Sequence, residues 1–77
     1  MRKYVNVVGV GEKRKSKKGW EYVPVAFTYD DQHVRGSKAA TVNVGTDVLG
    51  DDIPYVGDTL EFVMHESNFQ LYVDAVL

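Results

Sequence analysis

The sequence predicts an all-β fold in a single domain, arranged as a small barrel or a strongly bent antiparallel sheet. β-Branched and aromatic residues dominate, and no stretch sustains a helical period over three turns. Clusters of turn-forming residues divide the chain into five short segments with the composition of strands. Seventy-seven residues suffice for one domain only, spanning residues 1–77.

The first two predicted strands flank a basic connection. Residues 3–11 are rich in valine, and Gly9 and Gly11 within them indicate a bend or bulge. Residues 12–19 form a polar connection, and residues 20–29 form the second strand. Because side chains alternate along a strand, this one has an inward face of Val23, Val25, Phe27 and Tyr29 and an opposite face of Trp20, Tyr22, Pro24 and Ala26.

The second half of the chain supplies the other three strands, at residues 38–44, 58–65 and 69–77. Inward positions are Ala40, Val42 and Val44 in the third strand and Leu60, Phe62 and Met64 in the fourth. Residues 30–37 form a loop, and residues 66–68 form a tight turn. Residues 45–57 show no clear element, although residues 47–49 could form one helical turn. Pro24 lacks a backbone donor and therefore indicates an edge strand or a local irregularity.

Five short strands with an irregular excursion between the third and fourth suit a five-stranded OB-fold-like barrel. Closure would remove the exposed sheet edges that a small β-protein must otherwise protect. An SH3-like barrel is the second candidate. A ubiquitin-like fold is disfavoured, because no segment supplies its helix.

The charges are strongly segregated along the chain. Residues 1–21 hold seven Lys and Arg against two acids, a net charge of +5, whereas residues 22–77 hold two against nine, a net charge of −7. Such asymmetry indicates an arm that binds polyanions on an acidic body, or else a solvated turn. The sequence has no cysteine, which excludes disulfides and thiolate metal sites. No apolar run reaches the length of a membrane span or a signal peptide, so a cytoplasmic protein is expected, in the host cytoplasm if phage-encoded.

Catalytic and metal-binding motifs find no support in the sequence. His33 and His65 have no recognisable nucleophile partner, and a solvated histidine is the simpler interpretation of each. Asp47, Asp51 and Asp52 could in principle hold a hard cation, but their spacing does not match an EF-hand loop. We therefore expect a non-enzymatic protein without metal or cofactor.

The remaining motif is a basic and aromatic segment at residues 13–22. Five cations lie within six residues, and Trp20 and Tyr22 follow. Cations neutralise phosphates and release counterions, and exposed rings stack on bases. Alternation along a strand would place the two rings on one face about 7 Å apart, so that successive unstacked bases could each meet a ring. This composition predicts single-stranded nucleic-acid binding, with Trp20 and Tyr22 as core residues beside a solvated hairpin tip as the alternative.

With these residues, the sequence resembles the single-stranded DNA-binding proteins of filamentous phages, the gene V type. Their basic hairpin carries [Lys/Arg]-x-Gly-x-x-Tyr, which reads here Lys17-Lys18-Gly19-Trp20-Glu21-Tyr22. The similarity of order continues through residues 54–57, the strand with Leu60 and Phe62, a hairpin with Phe69 near its tip and a closing strand. The resemblance implies an OB-fold homodimer that coats single-stranded DNA in phage or mobile-element replication.

The resemblance also implies roles for individual residues. Lys17 would match the phosphate-contacting cation and Tyr22 the base-stacking tyrosine, while Phe69 would match an aromatic residue that approaches DNA from the dimer partner. The interpretation of the basic segment and the resemblance together give nine candidate nucleic-acid-binding residues: Arg14, Lys15, Lys17, Lys18, Trp20, Tyr22, Arg35, Lys38 and Phe69.

Two other functions remain open at this stage. An SH3-like module could bind a peptide through an aromatic groove of Trp20, Tyr22 and Tyr55. An acidic inhibitor could imitate nucleic acid through Asp47, Asp51, Asp52 and Asp58, which would leave the basic segment without a role.

Overall fold

The computed structural model describes residues 1–77 as one antiparallel sheet with a single short helix. The elements are β1 (Arg2–Val10), β2 (Arg14–Lys15), β3 (Glu21–Asp30), β4 (Ser37–Gly45), α1 (Thr46–Leu49), β5 (Thr59–Ser67) and β6 (Gln70–Val76). The all-β prediction is confirmed, and so is the single helical turn between the third and fourth long strands. The additional strand, β2, has only two residues and lies inside the segment that was predicted as a connection.

The sheet bends but does not close into a barrel. Hydrogen-bonded neighbours follow the order β2-β3-β1-β5-β6, and β4 pairs with the other edge of β3. The two outermost long strands, β4 and β6, pack against each other without a ladder of hydrogen bonds. The structure is therefore the strongly bent antiparallel sheet of the prediction rather than a fully closed barrel.

Two irregularities in the ladders accompany the bend. The pairing of β1 with β3 shifts register between Val7 and Gly9, as the glycine pattern predicted, and the pairing of β5 with β6 shifts between Val63 and Met64. An extra residue on one strand kinks that strand and increases its twist. The sheet can therefore bend around its core at one point in each of these two strand pairs.

Pro24 lies in β3, which is an internal strand between β1 and β4. The carbonyl of Pro24 accepts from the N–H of Gly11 at 2.8 Å, just beyond the end of β1. Because the donor and acceptor of one residue in an antiparallel strand point to the same side, the missing donor of Pro24 faces the gap between β1 and β2. Of the two interpretations of Pro24 from the sequence, the local irregularity is therefore correct and the edge strand is wrong.

The core is the inward face of the bent sheet and holds twelve buried side chains. They are Val5, Val7, Val23, Val25, Phe27, Tyr29, Val42, Val44, Leu49, Phe62, Met64 and Val73. The whole predicted inward face of β3 is among them, and the rings of Phe27 and Phe62 meet edge to face with centroids 5.2 Å apart. Within this core the hydroxyl of Tyr29 is buried without a hydrogen-bond partner in the protein.

The last hairpin turns one residue later than predicted. Ser67 pairs with Gln70, so the turn consists of Asn68 and Phe69, whose φ angles are +53° and +64°. A two-residue hairpin turn with both central residues at positive φ follows the twist of the strands, and asparagine tolerates it. The prediction of a turn at residues 66–68 with Phe69 opening the last strand is therefore wrong in register. No helix of the structure has the length and apolar character to cross a membrane.

Candidate nucleic-acid interface

The basic segment forms an ordered hairpin, here called the basic hairpin (residues 13–22). Arg14 pairs with Tyr22 and Lys15 with Glu21 across β2 and β3. At its tip the N–H of Gly19 donates to the carbonyl of Ser16 at 2.9 Å. The tip is thus a tight turn with two lysines at its centre, and the pairing of β2 with β3 fixes its direction.

Ser16 and Gly19 explain why the chain turns at this point. The Ser16 hydroxyl accepts from the Trp20 N–H at 3.0 Å, and the Ser16 N–H donates to the Trp20 carbonyl at 2.8 Å. Gly19 has a φ of +87°, a backbone angle that residues with a Cβ rarely adopt. The sequence Ser-Lys-Lys-Gly therefore places Lys17 and Lys18 at the apex, where both side chains are exposed.

Four cations of the basic hairpin have no carboxylate partner within 4.0 Å. They are Arg14, Lys15, Lys17 and Lys18, and all four are exposed. The fifth cation, Lys13, lies 3.6 Å from the carboxylate of Glu21. The hairpin therefore presents four unneutralised positive charges and one that is already paired, a distinction that the sequence did not show.

Trp20 and Tyr22 stack on each other at the base of the hairpin. Their ring centroids are 5.0 Å apart with an interplanar angle of 26°. Rings at this separation are in direct contact, so no base fits between them, and the expectation of two independent rings about 7 Å apart is wrong. Trp20 lies just before β3, so its ring does not follow the spacing of strand side chains. The two rings form a single platform.

The platform rests on Gly45 at the end of β4. A Cβ at Gly45 would lie 3.0 Å from Nε1 of Trp20 and would also overlap the carboxylate of Asp47. The edge of the indole is therefore packed against backbone, while 47% of the Trp20 residue stays exposed. Tyr22, beneath it, is half-buried. Tyr22 therefore covers one face of the indole, and the platform lies at the base of the hairpin that bears the four free cations.

A shallow surface of small and uncharged residues continues from the platform along β3 and β4. On this face Pro24 is opposite Asn43 and Ala26 is opposite Thr41. None of these four residues has a charge or a long side chain that would block an extended nucleic-acid strand on this face. Strand alternation predicted this face for Pro24 and Ala26, and it was the signal that could have identified them as part of the surface.

Arg35, Lys38 and Phe69 lie at the far end of the sheet. β3 runs from Tyr22 at the hairpin to Asp30, a distance of about 26 Å for eight residues of strand. Lys38 pairs with Tyr29 and so shares the inward side of β4, where its ammonium lies 4.0 Å from Glu66 next to the last hairpin. The nine candidate residues therefore form two groups, of which only the one at the basic hairpin is compact.

The far group is less suited to phosphate. Arg35 is exposed in the loop before β4, but Asp31 in the same loop accepts a hydrogen bond from the His33 N–H at 2.8 Å. That hydrogen bond, with a smaller contribution from Lys38, holds the pKa of the Asp31 carboxyl below its ordinary value. Asp31 therefore adds a negative charge to the loop that contains Arg35. Phe69 is fully exposed at its turn.

The two histidines have different surroundings. His65 Nδ1 lies 2.7 Å from Asp74 Oδ2, and its ring stacks on Tyr72 with centroids 5.1 Å apart. His33 contacts only the amide of Gln32, at 3.4 Å. No three or more His, Cys, Asp or Glu side chains gather in the structure as ligands for a metal ion.

Comparison with known proteins identifies no relative for this chain. A search with protein-family models, a search of curated proteins and a search of solved structures each returned no match.

Proposed function

We propose that the protein binds single-stranded DNA with little sequence preference, coating and protecting it during phage or mobile-element replication. The observation that supports the proposal is the basic hairpin, which has four unpaired cations and, at its base, the stacked Trp20–Tyr22 platform. Phosphate neutralisation and base stacking are the two interactions that sequence-tolerant single-strand binders combine. No reacting group is needed, because occupying the strand already sequesters it.

The phosphate contribution follows from the charges that are free. Arg14, Lys15, Lys17 and Lys18 can each approach a phosphate without first leaving a carboxylate. Each phosphate neutralised on a single strand contributes about 0.7 to the slope of log affinity against log salt. Four contacts predict a slope of about −2.8.

The stacking contribution comes from one platform and not from two rings. The exposed face of Trp20 can receive one base, and stacking of a base on an aromatic ring contributes about 1–3 kcal/mol. Tyr22 stacks on the other face of the indole and would contribute to base binding by holding the indole in place. The neighbouring surface of Pro24, Ala26, Thr41 and Asn43 leaves room for the strand to continue along β3.

Preference for single strands follows from the same geometry. A duplex presents phosphates to the lysines, but its bases are already stacked on one another and offer no free face to Trp20. Both forms of DNA would thus be bound through phosphates, with a salt slope of about 0.7 per contact for the single strand and about 0.9 for the duplex, and only the single strand would gain from stacking. Homodimerisation stays a prediction of the resemblance, since nucleic-acid binding itself needs only one basic hairpin.

A competition experiment tests the proposal. Fluorescently labelled oligo-dT is bound to the protein at low salt, and unlabelled oligo-dT or a duplex of equal phosphate concentration is added. We expect the single strand to displace the label at a much lower concentration than the duplex. Equal displacement by both would contradict the stacking role, and failure of the labelled strand to bind would contradict the proposal and favour a peptide ligand.

A further inference from the structure

The face of the sheet that turns away from the core, here called the outer face, continues from β3 onto β1. Residues opposite each other in an antiparallel pair point to the same face. Ala26 is opposite both Thr41 in β4 and Gly9 in β1, and Thr28 is opposite Asn6. All five residues are uncharged and have short side chains or none. The outer face is therefore an open, uncharged surface three strands wide.

Tyr4 is the aromatic residue at the far end of this surface. It lies two residues before Asn6 on β1, and side chains two residues apart on a strand point to the same face. Its opposite residue on β5 is Glu61, and 70% of the Tyr4 residue is exposed. The ring of Tyr4 is not stacked on another aromatic ring of the protein. It is therefore free to stack on a base.

The charges around Tyr4 favour a base at this position over a phosphate. The carboxylate of Glu61 is held by Arg2 in two hydrogen bonds of 3.0 and 3.2 Å, so its charge is neutralised. The register of β1 with β3 brings Tyr4 level with Asp30, which is exposed and has no cationic partner within 4.0 Å. A free carboxylate repels a phosphate but not an uncharged base. The outer face thus has free cations at one end only, at the basic hairpin.

The distance from the Trp20–Tyr22 platform to Tyr4 can be covered by one strand of nucleic acid. β3 spans about 26 Å from Tyr22 to the level of Tyr4. A single strand that keeps the duplex rise of about 3.4 Å per nucleotide needs about eight nucleotides for this distance, and an extended strand needs fewer. Single-strand sites of about 4–16 nucleotides are usual for one OB fold. Both aromatic positions therefore lie within the length of one binding site.

We propose that Tyr4 is a second base-stacking residue, and that a single strand runs from the Trp20–Tyr22 platform across the outer face of β3 to β1. The strand is anchored by its phosphates at the basic hairpin, crosses the uncharged middle of the outer face and ends on Tyr4, beyond which Asp30 repels it. This inference rests on the proposed function, because it concerns a further part of the same ligand.

Three variants test the inference: Tyr4→Ala, Tyr4→Phe and, as the matched control, Tyr55→Ala. Tyr55 is also highly exposed, at 78%, but it lines a concave surface with Leu49 and Leu60, which belong to the core side of the sheet. Because both tyrosines are exposed, the fold is expected to persist, as circular dichroism can verify. Binding of oligo-dT of twelve and of three nucleotides is followed at several salt concentrations by the fluorescence of Trp20, which reports contact at the platform.

We expect Tyr4→Ala to bind the longer strand about fivefold more weakly or worse at every salt concentration, with an unchanged salt slope. Its affinity for the three-nucleotide strand should equal that of the wild type, because reaching Tyr4 from the platform would need about 13 Å per step, roughly four times the duplex rise. Quenching of Trp20 at saturation should also be unchanged, since the platform keeps its base. Tyr4→Phe and Tyr55→Ala should bind both strands like the wild type.

Three outcomes would overturn the inference: unchanged affinity of Tyr4→Ala for the longer strand, an equal loss in Tyr55→Ala, or an equal loss for the three-nucleotide strand. In each of them the wild type still binds single strands, so the proposed function stands without Tyr4. A wild type that binds neither strand at low salt would instead contradict the proposed function, and the inference with it.

Discussion

The distinction between free and paired lysines of the basic hairpin gives a quantitative prediction for Lys17→Ala. Lys17 lies at the apex without a carboxylate partner, whereas Lys13 is held 3.6 Å from Glu21. With four free cations, raising salt from about 50 to about 200 mM should weaken single-strand binding about 50-fold. Removing one contact lowers the slope to about −2.1, and the same change of salt should then cost only about 18-fold.

The assay is a titration of labelled oligo-dT followed by fluorescence anisotropy at four or more salt concentrations, with the protein kept dilute. Lys13→Ala is the matched control, since it changes the net charge by the same amount at a cation that already has a partner. We expect its slope to equal that of the wild type. An equal loss of slope in both variants would mean that net charge alone governs binding and that the pairing of Lys13 with Glu21 has no effect on it.

Three further substitutions have separate outcomes. Tyr22→Ala removes the support of the indole and should weaken binding by about 1–3 kcal/mol at each salt concentration while leaving the salt slope unchanged; a changed slope would argue for a phosphate contact instead. Tyr29→Phe removes a buried hydroxyl that has no partner and should raise the free energy of unfolding by about 1 kcal/mol in urea denaturation, whereas destabilisation would show that the hydroxyl is satisfied. Phe69→Gly relieves a bulky residue at φ +64° that buries nothing and should stabilise the hairpin by about 1 kcal/mol; loss of stability would mean that the ring packs against the protein.

Strand periodicity accounts for most of what the sequence predicted correctly. The alternation from Val23 to Tyr29 identified the buried face of β3, and the glycine at position 9 identified the bulge in β1. Closure of the sheet was not predictable in this way. It depends on whether β4 and β6 exchange hydrogen bonds across the molecule, and the side-chain pattern of neither strand specifies that pairing.

The candidate site was predicted in composition but not in geometry. The separation of Trp20 and Tyr22 depends on rotamers and on Trp20 lying outside β3, neither of which follows from spacing. The turn at Asn68 and Phe69 depends on long-range pairing between β5 and β6, which outweighs local turn preferences. The inward position of Lys38 could have been predicted, because Lys38 is two residues from the inward residue Ala40 on the same strand.

We propose that the exposed indole of Trp20 stacks on a base of single-stranded DNA while the free cations bind its phosphates. The most direct measurement is the fluorescence of Trp20, the only tryptophan in the chain, during titration with oligo-dT at low salt and again at moderate salt. We expect strong quenching by the single strand, weakened by salt and not reproduced by a duplex. Unchanged fluorescence at low salt, where phosphate binding is strongest, would contradict it.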